Sequence, residues 1–290
     1  MNGDRERARR AFVCLSHSPL MTLADRREAG KQHQAATEEA RRFLADFAPG
    51  VVVMFAPDHM NLLNRIRPPF TGVLSGRTLH EFDIPEFELT VSPVAQSLYA
   101  GLVARDVDLA VGEDVTIDHG MGLSLLDLFE EPARVPLVPI IVNAIGFPLF
   151  PMARAAVVGQ RIGEVLSAES GRIAFVGTGG LSHNPPFPAP VPGARRLGPE
   201  ERGEAIRTAP RYIDPEWDRG LLAGMERGDA QALGSLQQEE LDKRGGGANE
   251  IRTWAAAWAA AGCPPASFTS YEPVEPWITG MGVAFGTATG

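Results

Sequence analysis

The stretch VVVMFAPDHMN, residues 51–61, opens with an apolar run of strand length, Val51–Phe55, and hands the chain through an alanine and a proline to an aspartate and a histidine. It is one of five such runs. The others are Ala11–Leu15, Val107–Val111, Leu137–Val142 and Ile173–Val176, and helix-like segments separate them. Thr22–Phe47 carries Leu23, Ala36, Ala40, Phe43, Leu44 and Phe47 as an apolar stripe and closes at Pro49-Gly50, so it reads as one long surface helix. Further helices are predicted at Pro93–Arg105, Met152–Ser167, Pro215–Arg227 and Glu250–Ala261. Strand-sized runs alternating with helices predict an α/β fold: a single domain over residues 1–290, with a central mixed or parallel β-sheet flanked by helices. Prolines and glycines make Pro185–Pro199 irregular, and residues 185–210 are expected to be a loop or lid.

Composition excludes several classes of function. The 290 residues are 44% hydrophobic, enough for a sizeable core. Net charge is −9, from 27 basic and 36 acidic residues, and no Lys/Arg-rich tail is present, so nucleic acid is a poor partner. No run approaches the roughly 18–20 apolar residues that span a bilayer, which argues against a membrane partner. The charged start MNGDRERARR leads into only five apolar residues before Ser16 and His17, too few for a signal peptide, so a cytoplasmic protein is expected. Cys14 and Cys263 are too few to staple the chain, and Cys14 is expected as a buried thiol.

Histidines carry the functional signal. Four of the six follow strand-like runs: His17 after AFVCLS, His59 after VVVMFAPD, His119 after the run ending at Val111 and a short loop, and His183 after IAFVGTGGLS. Loops beyond the carboxyl ends of strands line the ligand crevice of an α/β sheet, so the four are expected to converge there. Any one alone would be explained by a neutral imidazole hydrogen-bonded in a loop; four in the same context would not. His33 and His80, among polar neighbours, are expected to be solvated and silent.

With only two distant cysteines, a metal site would be built from imidazole and carboxylate. Two histidines and one carboxylate on one face of an octahedron leave three positions for substrate and dioxygen. Asp58, Asp118, Asp218 and Glu250 are the candidate carboxylates. Asp58 and Asp118 precede histidines and could instead hold a loop or an imidazole in place. Glu250 opens the helix-like IRTWAAAWAAA, where a carboxylate is also explained by the helix dipole.

CLSHSPL (14–20), FAPDHMN (55–61), IDHG (117–120), GTGGLSHNPP (177–186), DPEWD (214–218), NEIRTWAAAWAA (249–260) and EPWITGMG (275–282) occur in order along nearly the whole chain. In these blocks the sequence resembles the class III extradiol ring-cleavage dioxygenases, most closely those that cleave 2,3-dihydroxyphenylpropionate. The resemblance implies His17, His59 and Glu250 as Fe(II) ligands and His119 and His183 as an acid–base pair. Which of the two is the base stays open, with His119 as base and His183 as acid the favoured order. It further implies extradiol cleavage of a catechol with insertion of both atoms of O2, giving a 2-hydroxymuconic-type acid. The expected substrate is 2,3-dihydroxyphenylpropionate or a close analogue, and the expected assembly a homo-oligomer. Asn249 stands where the family pattern would carry a histidine, and the segment after Pro188 is shorter than the pattern. An acidic substrate arm would want a cation, and Arg65, Arg67, Arg195 and Arg196 are the candidates. The alternatives are a dioxygenase for another substituted catechol, a non-catalytic binding protein on the same fold, and a zinc hydrolase using the same ligands.

Overall fold

The computed structural model describes residues 9–186, 195 and 197–288. Its strands are β1 (Arg10–Leu15), β2 (Val51–Pro57), β3 (Phe70–Val73), β4 (Gly76–Thr78), β5 (Ala110–Gly112), β6 (Val115–Ile117), β7 (Leu137–Val142), β8 (Ile173–Thr178), β9 (Phe268–Val274) and β10 (Thr279–Ala288). The helices are α1 (Lys31–Phe47), α2 (Val94–Val103), α3 (His119–Leu128), α4 (Met152–Val165), α5 (Pro199–Thr208), α6 (Pro215–Glu226), α7 (Gln231–Gly234), α8 (Gln238–Lys243) and α9 (Ile251–Ala260).

Eight strands form one mixed sheet in the order β5-β3-β7-β2-β8-β1-β10-β9. The four central strands, β7, β2, β8 and β1, run parallel, so their carboxyl ends share one edge. Antiparallel β10 and β9 extend the sheet beyond β1, and β4 pairs with β6 in a separate two-stranded sheet. Alternate residues of the central strands feed two cores. Phe12, Cys14, Val53, Phe55 and Phe175 pack with α2, α4 and α9 on one face. Ala11, Val13, Leu15, Val52, Met54, Ala174 and Val176 pack with α1 and α3 on the other. Because both faces are covered, the strands are apolar throughout rather than alternating, which is why these runs stand out in the sequence. Among the described residues, no helix is long and apolar enough to cross a membrane.

Three expectations need correction. The helix anticipated from Thr22 begins only at Lys31, because Gly30 adopts a left-handed backbone (φ +66°) with the Trp277 ring where a Cβ would project. His33 is buried rather than solvated. Its ring meets Trp277 edge-on, with centroids 6.1 Å apart, and it shares a helix face with Ala36, Thr37 and Ala40. The 3.6-residue period already grouped these positions, but polar neighbours masked it. Within 185–210, Pro199–Thr208 is helical, started by the proline at its first turn and by Glu201 bonding back to the Gly198 amide at 2.9 Å. Residues 187–194 and 196 of that segment lie outside the described residues.

Candidate active site

His17 and His59 leave the carboxyl ends of β1 and β2, which lie on either side of β8. Two strand spacings put those ends about 9–10 Å apart. The loops turn inward and bring the two rings to 5.6 Å between centroids. His119 arrives differently from the sequence expectation: it opens α3 directly after β6 of the small sheet, not after a strand of the main one. Its ring stacks on His59 at 4.0 Å. His183 follows β8 after a glycine-rich turn, and Glu250 ends a single 3-10 turn, Gly246–Glu250, that runs into α9. All five line one cavity of about 470 Å³.

The four imidazoles are anchored in the same way. Nδ1 of His17 faces Thr178 Oγ1 at 2.8 Å, Nδ1 of His59 faces Asp118 Oδ1 at 3.4 Å, Nδ1 of His119 faces Glu81 Oε1 at 3.0 Å, and Nδ1 of His183 faces the Leu181 carbonyl at 2.8 Å. Each ring therefore keeps Nε2 for other work, the arrangement by which proteins orient metal-binding and proton-transferring histidines. Behind His17, Thr178 is itself held by Ser124 at 2.5 Å.

Carboxylates fix the loops. Asp118 caps α3 through the Gly120 amide at 2.9 Å and also accepts from the His59 amide at 2.5 Å, so one side chain ties the β2 loop to α3. Asp58 holds its own loop. It accepts from the amides of Asn61, Leu62 and Leu63 at 3.0, 2.8 and 2.9 Å, and burial together with Asp118 raises its pKa to about 6. Asp218 stands apart from the metal-ligand candidates. Its oxygens accept from the Ser182 amide and hydroxyl and from the Tyr271 hydroxyl, and so secure the turn that presents His183.

Glu250 is buried, with Oε2 accepting from the Gly180 amide at 2.8 Å and Oε1 lying 3.3 Å from His59 Nε2 and 3.6 Å from His183 Nε2. Burial opposes its charge, but His183 and His59 outweigh that and hold its pKa well below the usual carboxylate range. For His59 burial likewise opposes charge, and Asp118 and Glu250 together raise its pKa well above that of a free imidazole. Burial takes His17 down to about 3 against the pull of Glu250, leaving a neutral imidazole. Asn249 does not enter the cavity lining. Its amide oxygen accepts from the fully buried Arg252 at 2.6 Å, and Arg252 also donates to the Phe150 carbonyl and Gln238, which clamps the turn carrying Glu250.

The donor set suits a first-row divalent metal. Ligand atoms of His17, His59 and His119 lie within 4.8 Å of one another. The 3.3 Å between His59 Nε2 and Glu250 Oε1 is near the separation of about 3 Å between neighbouring donors on a metal with bonds of about 2.1 Å. Two groups escaped the sequence reading. Glu81 sits in a polar loop that nothing distinguished from any other, and its place beside His119 exists only in the folded chain. Arg202 lines the cavity, whereas none of the arginines expected there does among the described residues. Arg65 is exposed, Arg67 donates to the carbonyls of Leu63, Asn64 and Phe147, Arg195 pairs with Glu201, and Arg196 lies outside the described residues.

Residues 11–284 match the family model of the catalytic LigB subunit of aromatic ring-opening dioxygenase. Several curated relatives bear the name 2,3-dihydroxyphenylpropionate/2,3-dihydroxicinnamic acid 1,2-dioxygenase. One from Rhodococcus sp. is 34% identical, covering 96% of this chain and 98% of its own length. One from Klebsiella pneumoniae (strain 342) is 30% identical, over 93% and 96%. One from Paraburkholderia xenovorans (strain LB400) is 33% identical, over 93% and 95%.

Proposed function

The chain belongs to the family of the catalytic LigB subunit of aromatic ring-opening dioxygenases, an enzyme family, and on that premise we propose the ligands, the proton carriers and the substrate of its reaction. The substrate is 2,3-dihydroxyphenylpropionate or a close analogue, cleaved beside its diol with both atoms of O2 entering the product. His17, His59 and Glu250 hold Fe(II). Bound there, Fe(II) would supply a Lewis acid that eases loss of a phenolic proton and a redox centre able to pass electrons from the catechol to dioxygen.

His119 takes the phenolic proton at Nε2. Its Nδ1 faces Glu81 at 3.0 Å, which orients the ring so that Nε2 is the nitrogen offered to the substrate. His183 returns a proton from Nε2 to the departing oxygen. Glu250 Oε1 lies 3.6 Å from that nitrogen, and the Leu181 carbonyl fixes the ring's orientation. Phe82 stands edge-on to His119 at 5.0 Å, and Leu20 and Ile278 add apolar lining that limits water around the reacting groups.

The observation that carries this reading is the convergence of four imidazoles, each anchored through Nδ1, and one buried carboxylate on a single cavity. The test is to load the chain with Fe(II) anaerobically and then admit oxygen with 2,3-dihydroxyphenylpropionate. One dioxygen consumed per catechol, with a yellow ring-opened product, is expected. An intradiol muconate product or oxygen-independent turnover would overturn the reaction; turnover of a different catechol alone would overturn only the substrate.

A further inference from the structure

Helix α5 turns two residues, one helical turn apart, into the active-site cavity: Arg202 and Ile206. Every carboxylate lining that cavity already faces a histidine: Glu81 faces His119, Asp118 faces His59, and Glu250 faces His59 and His183. Among the described residues Arg202 is the only Lys or Arg in the lining, and its guanidinium has neither a hydrogen bond nor an ion pair. Its own helix explains this. The positions three and four residues away are Gly198, Pro199, Ala205 and Ile206, none of them acidic, whereas Arg207 on the same helix has Glu204 three residues before it and pairs with it.

Arg202 both lines the cavity and is exposed, which puts it at the open end, with Ile206 one turn along the same helix, and the cavity lining also includes the apolar side chains of Leu20 and Ile278. A ligand matching this layout has a diol for the histidine wall, a short apolar body and an anion for the guanidinium. We propose that Arg202 reads the carboxylate of the substrate arm, so that the site selects catechols carrying a carboxylate on a short carbon chain over neutral alkyl catechols of the same length. The argument rests on the reading of the cavity as a catechol site. A planar guanidinium suits a carboxylate through two parallel N–H donors, and a chain of net charge −9 needs a local cation to accept an anionic ligand.

The test compares 2,3-dihydroxyphenylpropionate with 3-propylcatechol, in which a methyl group replaces the carboxyl, on the Fe(II)-loaded protein. Anaerobic calorimetry gives the binding ratio and oxygen uptake the ratio of kcat/KM. The wild-type chain should favour the acid in both. In Arg202→Gln both ratios should fall about tenfold, the lower end for a charge-assisted hydrogen bond because Arg202 borders solvent. Arg202→Lys should keep part of the preference, and Arg202→Glu should fall below Arg202→Gln. A change in the ratios of less than twofold in Arg202→Gln, or a wild-type chain that binds the acid no better than its neutral analogue, would overturn the proposal. If the wild-type chain turns over neither catechol, the dioxygenase reading fails while the calorimetric ratio still judges Arg202.

Discussion

One carboxylate oxygen of Glu81 holds His119 twice, lying 2.7 Å from its backbone nitrogen and 3.0 Å from its ring Nδ1. The same contact fixes the start of α3 and the rotation of the imidazole, so the ring has one orientation to offer the cavity. Glu81→Gln keeps the shape and an acceptor but replaces a charged acceptor by a neutral one at both contacts with His119. Turnover should drop roughly 10- to 100-fold, the scale on which outer partners of working histidines act, with bound iron unchanged by metal analysis. Unchanged turnover would leave Glu81 with the backbone contact alone.

Glu250→Gln should weaken iron binding and turnover together, because the amide presents at most one neutral oxygen to the metal while the Gly180 amide still claims an acceptor. Full iron occupancy with normal turnover would assign the ligand role to another carboxylate.

Replacing His119 or His183 with alanine should cost about 10²–10⁴-fold in turnover with iron retained, the usual contribution of a general acid or base. The three-histidine cluster makes His119 the sharper case. Loss of iron in His119→Ala would make it a ligand.

Asp127 offers a pH test remote from the chemistry. One of its carboxylate oxygens is shielded and lacks a hydrogen bond, and burial raises its pKa to about 7 despite nearby Arg41. An acid whose folded pKa is raised binds its proton more tightly when native, so its contribution to stability is complete below about pH 4 and is lost as the pH rises through 7. Asp127→Asn, which stays neutral, should gain on the wild-type chain across that window and then level off. The gain at pH 8 should be about 1–3 kcal/mol, read as a higher melting temperature in paired thermal scans. Equal melting temperatures at pH 8 would show that the carboxylate is not strained by its surroundings.

The central strands and three of the histidines at the cavity were legible because each is announced locally, whereas Glu250 was picked out by the family resemblance. Burial on both faces makes β1, β2, β7 and β8 continuous apolar runs, and His17, His59 and His183 follow three of them within a few residues. Strand β10 was not legible. Its start, Thr279-Gly280-Met281-Gly282, is poor in strand formers and holds its place by pairing with β9, the ladder with β1 beginning only at Val283, while the Asp218 carboxylate occupies the space a Cβ at Gly280 would need.

Through local pattern, the sequence by itself determined the α/β class, the parallel core strands and the histidines at their ends. Only tertiary structure decided that Glu81 orients His119, that Asp218 secures the turn before His183 rather than joining the metal-ligand candidates, and that Arg202, not Arg65, Arg67 or Arg195, enters the cavity. The physical reason is range. Strand and helix periodicity is written over a few neighbouring residues, whereas these partners lie 36 to 38 positions apart and meet only after loops of polar, unremarkable composition have closed.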